Sequence, residues 1–247
     1  MKIRLSRSIL PNLFTVLNIF FGFLCIIQAM HGKFVLAGIY VVCSAVCDTL
    51  DGLMARLTHS SSEFGVQLDS LADAVSFGAA PSVLVYALFL HSYGPFGTLV
   101  ASAPLVFGAL RLARFNVQLV GFSKDSFVGV PIPLSALVLV AFIFFFGPDV
   151  IQADATLQHV FTAVIAACGL LMVSTIRYPT LPKFTRKAFR EQPWLTGGCV
   201  LGGIIIAATL GKGLFPVLAL VIVAGVVYSA YGQTRKFLTG KPAGKSK

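Results

Sequence analysis

The stretch FVLAGIYVVCSAVCDTLDGLMAR, residues 34–56, decides how this chain folds. No residue from Phe34 to Cys47 carries a charge; then Asp48, Asp51 and Arg56 follow in quick succession. An α-helix needs about 20 consecutive apolar residues to cross the hydrocarbon core of a bilayer, and this run is long enough. Carboxylates inside such a helix are costly and by default mark function. The same stretch therefore predicts a membrane helix and locates the chemistry at its C-terminal end.

A polar turn around 58–62 follows, then GVQLDSLAD at 65–73, with Asp69 and Asp73. Asp48 and Asp51 are three apart, and Asp69 and Asp73 four apart, so each pair shares a helical face. A short turn makes the two helices antiparallel, which brings all four carboxylates to one depth.

The rest of the chain agrees. Hydrophobic residues make up 57% of the 247 and charged residues only 11%, whereas soluble domains carry about 25% charged residues. That excludes an ordinary soluble enzyme or binding module. Apolar runs fall at 13–30, 34–56, 68–90, 97–115, 133–146, 159–176, 195–210 and 214–231. The fold expected is all-α, a polytopic bundle of eight membrane helices. A six-span arrangement with two re-entrant pieces is the alternative. Residues 1–180 read as the core with the first six spans, and 181–247 as two further helices and a basic tail. The 147–158 stretch reads as a turn region.

Charge placement sets the orientation. With eight spans, every Lys and Arg except Lys33 and Lys212 falls on one side. Excess Lys and Arg mark the cytoplasmic side, so both termini and the acid cluster are expected there, in a prokaryotic cell membrane. The net charge of +10 does not point to nucleic acid, because the basic residues sit between apolar runs and at the ends rather than in a stripe on a folded domain. Lys183 to Arg190 reads as a segment lying along anionic lipid headgroups, and Trp194 as an interfacial anchor. Cys25, Cys43, Cys47, Cys168 and Cys199 read as small buried hydrophobes.

Converging carboxylates repel one another in a poorly solvated site. Proton uptake or bound cations relieve that. A proton relay is one reading. The other is a pair of divalent ions, for which hard oxygen ligands suit magnesium, manganese or calcium. The neighbours favour the metal reading: Gly52, Ala55 and Gly65 leave room for a bulky ligand or a close helix, and Arg56 offers a fixed charge suited to phosphate. Arg111 and Arg114 close the fourth span, where a guanidinium fork would match a carboxylate or a lipid phosphate. Asn116 and Ser135 are weaker candidates for the same pocket.

Asp48-Thr-Leu-Asp51-Gly52-Leu-Met-Ala55-Arg56, eight residues, then Gly65-Val-Gln-Leu-Asp69-Ser-Leu-Ala-Asp73 resembles the signature of the CDP-alcohol phosphotransferase family at every defined position. The blocks 62–81, 111–116 and 127–133 look like the phosphatidylserine synthase branch of that family, and Pro11-Asn12-Leu13-Phe14-Thr15-Val16-Leu17-Asn18 resembles the family's entry segment beside the nucleotide site. The resemblance implies an integral membrane enzyme with two divalent cations, Mg2+ or Mn2+ with Ca2+ as a further occupant, and a homodimer. The implied reaction transfers a phosphatidyl group from CDP-diacylglycerol to the hydroxyl of L-serine, releasing CMP. Asp48, Asp51, Asp69 and Asp73 would hold metal. Asp73 would be the general base, with Asp69 and Arg56 also catalytic. Asn12, Thr15, Asp48, Gly52, Ala55, Arg56 and Gly65 would bind the CDP donor, with Arg111 and Arg114 at the acceptor or lipid phosphate. A synthase of the same family using glycerol phosphate, inositol or an ether-lipid donor is the nearest alternative. An ion-coupled transporter and a non-catalytic scaffold are the more distant ones.

Overall fold

The computed structural model describes residues 9–58, 62–119, 127–174 and 177–178. The expected seventh and eighth spans, Trp194, Cys199, the 183–190 segment and the basic tail lie outside the described residues.

Two long helices open the chain. α1 (Ile9–Met30) and α2 (Phe34–Thr58) run antiparallel across a tight turn at Gly32 and pack along their whole length. α3 (Glu63–Asp73) is capped by Ser62, whose hydroxyl accepts from the Gly65 N–H at 3.0 Å. It continues through a π-helical segment, Ala74–Ala79, into α4 (Ala80–Leu88). Pro81 gives a physical reason for that widened turn. It has no N–H to donate, and in a straight α-helix its ring would press on the Phe77 carbonyl.

A 3-10 turn (Leu90–Tyr93) leads to α5 (Gly94–Ala101) and α6 (Ala103–Leu119), which are separated only by a break at Ser102. After a two-residue strand β1 (Phe127–Val128) come α7 (Ile132–Phe146), α8 (Pro148–Ala153) and α9 (Ala155–Val173). β1 then pairs antiparallel with β2 (Arg177–Tyr178). The 147–158 region, expected to be a plain turn, contains α8: Pro148 opens it, and Asp154 ends it by capping α9.

Among the described residues five helical stretches are long and apolar enough to cross a membrane: Pro11–Met30, Phe34–Ala55, Glu63–Leu88, Leu90–Val117 and Ala155–Val173. The expected first, second, third, fourth and sixth spans fall on these. The fifth is the shorter Ile132–Phe146. Its residues from Val138 to Ile143 are all buried, so it is enclosed by the other helices, and a helix apolar on every side suits that place. Around it, α1 and α2 turn Leu13, Phe20, Phe23, Val35 and Ile39 outward, as lipid-facing helices do. The protein is an all-α polytopic membrane helix bundle.

The chain direction matters for the site. α1 begins, α2 ends, α3 begins, and α6 and α9 end at the same end of the bundle, which is the end that holds the four aspartates.

Candidate active site

Three helix ends build the site. Asp48 and Asp51 lie in the last turns of α2, and Asp69 and Asp73 in α3. One carboxylate oxygen from each of Asp48, Asp51 and Asp69 lies within 4.8 Å of the other two. Asp73, one turn on from Asp69, is 9% exposed, and its carboxyl group lies beside that of Asp48. From α1, the buried Thr15 hydroxyl donates to Asp51 Oδ2 at 3.0 Å. The structure thus brings together all four aspartates picked out by spacing.

The residues present fit divalent cations. Oδ1 of Asp69 and Oδ1 of Asp73 are buried and have no hydrogen-bond partner. A buried acceptor left unpaired costs about 1–3 kcal/mol, and more when it is charged. Several such oxygens facing one another are stable only with positive charge or protons between them. The clustered ligand atoms of Asp48, Asp51 and Asp69 are all carboxylate oxygens, the hard donor set that magnesium, manganese and calcium take.

Beside the cluster is a cleft of about 110 Å³. Asn12, Thr15, Gly52, Ala55 and Gly65 line it together with Asp51 and Asp69, and Pro11, Ser62 and Val66 complete the wall. Every one of the small residues singled out in the sequence faces this one space. A Cβ on Gly65 would stand 3.2 Å from the Ser62 Oγ and 3.5 Å from Asn12 Oδ1, so a larger side chain there would crowd the cleft. Arg56 lies on α2, but its side chain is outside the described residues.

The two arginines of α6 part company. Arg111 is 8% exposed, interacts electrostatically with Asp73, and has its Nε buried without a partner. Arg114 donates to the carbonyls of Val173 and Ser174 at 3.1 and 3.4 Å, tying α6 to the end of α9. Asn116 Nδ2 donates to Ser70 Oγ at 3.0 Å, fastening α6 to α3 next to Asp69. Ser135 is buried on α7 against Cys168 of α9.

Sequence reasoning included Asn18 and Ser76 in family-like segments but gave them no role, did not single out Ser44, and so missed a second polar layer, one turn deeper. It consists of Asn18, Ser44 and Ser76, all fully buried. The signal was available: Ser44 precedes Asp48 by four residues, Asn18 follows Thr15 by three, and Ser76 follows Asp73 by three.

Comparison with known proteins agrees with this geometry. Residues 8–181 match the CDP-alcohol phosphatidyltransferase family. The chain is 42% identical over 173 residues to a CDP-diacylglycerol–serine O-phosphatidyltransferase of Helicobacter pylori, covering 70% of this chain and 73% of that one. It is 31% identical over 187 residues to the Bacillus subtilis protein of the same name, covering 75% of this chain and 98% of the relative. It is also 35% identical over 172 residues to an archaetidylserine synthase of Methanothermobacter thermautotrophicus, with 69% of each chain covered. The matched region contains every element that builds the acid cluster and its cleft, and the chain belongs to the CDP-alcohol phosphatidyltransferase family as a metal-dependent membrane enzyme.

Proposed function

We propose that the chain transfers the phosphatidyl group of CDP-diacylglycerol to the hydroxyl of L-serine, giving phosphatidylserine and CMP. The observation that carries this reading is the juxtaposition of a four-aspartate cluster, a cleft of small residues and one buried arginine at a single end of the bundle. Names borne by relatives from two bacteria and an archaeon support serine as the acceptor.

Asp48, Asp51 and Asp69 would hold the divalent ions, with Asp73 beside Asp48 completing the second position. When bound, the ions neutralise the donor's diphosphate and polarise the phosphorus under attack. The cleft is smaller than an ordinary small-molecule pocket of about 300 Å³, so it holds the phosphate end while the nucleoside reaches toward the surface. Asn12, Gly52, Ala55 and Gly65 shape it, and Thr15 fixes the orientation of Asp51. Arg56, one turn on from Gly52, supplies a cation for the departing phosphate.

Asp73 takes the proton from the serine hydroxyl. The serine oxygen forms a bond to the phosphorus carrying the diacylglycerol. The bond from that phosphorus to the bridging oxygen breaks, and its electron pair leaves with CMP. Arg111 reads the serine carboxylate: it is buried, faces Asp73 and has donor capacity to spare. Arg114 is occupied in joining helices. Asn116, through Ser70, holds the α6 end against α3.

The bundle is proposed to cross the membrane eight times with both termini and the site cytoplasmic, where nucleotide and serine are dissolved, and to act as a homodimer. Residues 1–180 form its catalytic core, and 181–247 supply two further helices and the tail. A site at the mouth of a bundle serves both the water-soluble and the lipid-soluble substrate. Likeness to an archaetidylserine synthase favours a second reading, the same reaction on an ether-linked donor. The test is an acceptor panel of serine, glycerol phosphate and inositol against both donors, reading CMP and lipid product together. Serine is expected to release CMP and form product in equal amounts, only with divalent ion present. Turnover with glycerol phosphate or inositol and none with serine would overturn the acceptor.

A further inference from the structure

One atom below the aspartates ties the two helices that carry them to α1. The main-chain carbonyl oxygen of Asn18 in α1 accepts from Ser76 Oγ at 2.8 Å and from Ser44 Oγ at 3.1 Å. Asn18 and both serines are 0% exposed. Ser44 lies one turn before Asp48 in α2. Ser76 lies three residues after Asp73, inside the π-helical segment that begins at Ala74.

A second contact fixes the same point. An ideal Cβ on Gly22 would stand 2.5 Å from Ser76 Oγ and 2.8 Å from Ser76 Cα. Only glycine lets the π-helical segment lie this close to α1, because the backbone of Ser76 has no room to yield. π-helical turns are rare and recur at functional sites. Here the widened turn follows directly on Asp73, and Ser76 within it is held against α1.

We propose that the Asn18 carbonyl is a register pin for the acid cluster, with Ser44, Ser76 and Gly22 as positioning residues. They touch neither substrate nor reacting atoms. They fix how far along and how close α3 sits against α1 and α2, and so set the distance from Asp73 to Asp48. This inference rests on the roles proposed above for Asp73 and Asp48.

The test uses the full-length enzyme in detergent–lipid micelles with CDP-diacylglycerol, serine and Mn2+. A misplacement of about an ångström at a reacting group costs up to about 100-fold. Ser76→Ala is therefore expected to lower kcat about tenfold and raise the Mn2+ concentration for half activity, with the donor KM unchanged. Ser76→Thr, which keeps the hydroxyl, is expected to recover most of the loss. Gly22→Ala is expected to lose more than Ser76→Ala, and adding Ser76→Ala to it should not help, because the collision with Cα remains. Wild-type kcat and Mn2+ requirement in Ser76→Ala would overturn the pin, as would a loss carried by donor KM alone. A wild-type protein inactive on every acceptor would instead sink the proposed reaction, so the two failures are distinguishable.

Discussion

The two ends of the bundle are built to opposite rules. At the far end most polar groups find partners, although Gln28 Oε1, near the end of α1, is buried without one. Tyr93 donates to Gln158 Oε1 at 2.8 Å, Gln158 Nε2 to the Gln152 carbonyl at 2.9 Å, and Gln152 Nε2 to the Leu88 carbonyl at 2.9 Å. Asp154 caps α9 by accepting from Thr156 N–H at 2.7 Å. Beneath them Phe142 and Phe161 stack with centroids 4.2 Å apart and planes 7° from parallel. At the acid end, buried oxygens of Asp69 and Asp73 and the Nε of Arg111 have no partner. One end is closed for stability by neutral partners almost throughout. The other keeps unsatisfied charge, which is tolerable where ions and substrate complete the bonding.

That contrast can be broken or sharpened by experiment. The largest effect is expected at the carboxylates. Asp69→Asn with Asp73→Asn should lower kcat by about a thousandfold or more, as loss of a group that stabilises developing charge does. Single-turnover CMP release measures it, and near wild-type turnover would erase the distinction between the ends. Next comes Arg111→Ala. A lost charge-assisted hydrogen bond is worth about 1.5–3 kcal/mol, so the serine KM should rise about 10- to 100-fold. Arg114→Ala should leave serine KM alone and lower thermal stability. Equal serine KM effects from the two would contradict their different surroundings.

Metal removal should act on one end only. A ligand at 100 times its Kd stabilises the folded state by about 2.7 kcal/mol. Chelation should therefore lower the thermal midpoint of the wild type and leave Asp48→Asn with Asp69→Asn unmoved. The smallest effects belong to the far end. Tyr93→Phe should cost about 1 kcal/mol, and Asp154→Ala about 1 kcal/mol through its cap. Both are read in thermal unfolding, with kcat unchanged. A catalytic loss in either would mean that the far end takes part in turnover.

The sequence made parts of this plain and hid others for physical reasons. Helices within a bilayer must be apolar over a fixed length, so the first six runs could be read, most of their ends within a few residues. The third starts earlier than expected, at Glu63, because Ser62 caps a polar first turn that hydropathy ignores. The fourth is broken at Ser102, where the pattern shows no interruption. α8 was hidden because six residues are too few to show a period. At the site, the aspartates and small residues stood out because carboxylates are costly in an apolar helix and small side chains make space. The Asn18 pin did not, since a main-chain acceptor leaves no mark in the residue sequence, and neither does the distance that Gly22 permits. Arg111 and Arg114 look alike in sequence. Only the fold separates the one that faces Asp73 from the one that fastens α9.

The most direct measurement is Mn2+ binding to the purified full-length protein by electron paramagnetic resonance, with and without Asp69→Asn. The wild type should bind two ions per chain saturably, consistent with a carboxylate set able to clamp a diphosphate, and Asp69→Asn should lose that stoichiometry together with CMP release. Equal ion number and affinity in the two proteins would contradict the claim that these carboxylates form the metal centre.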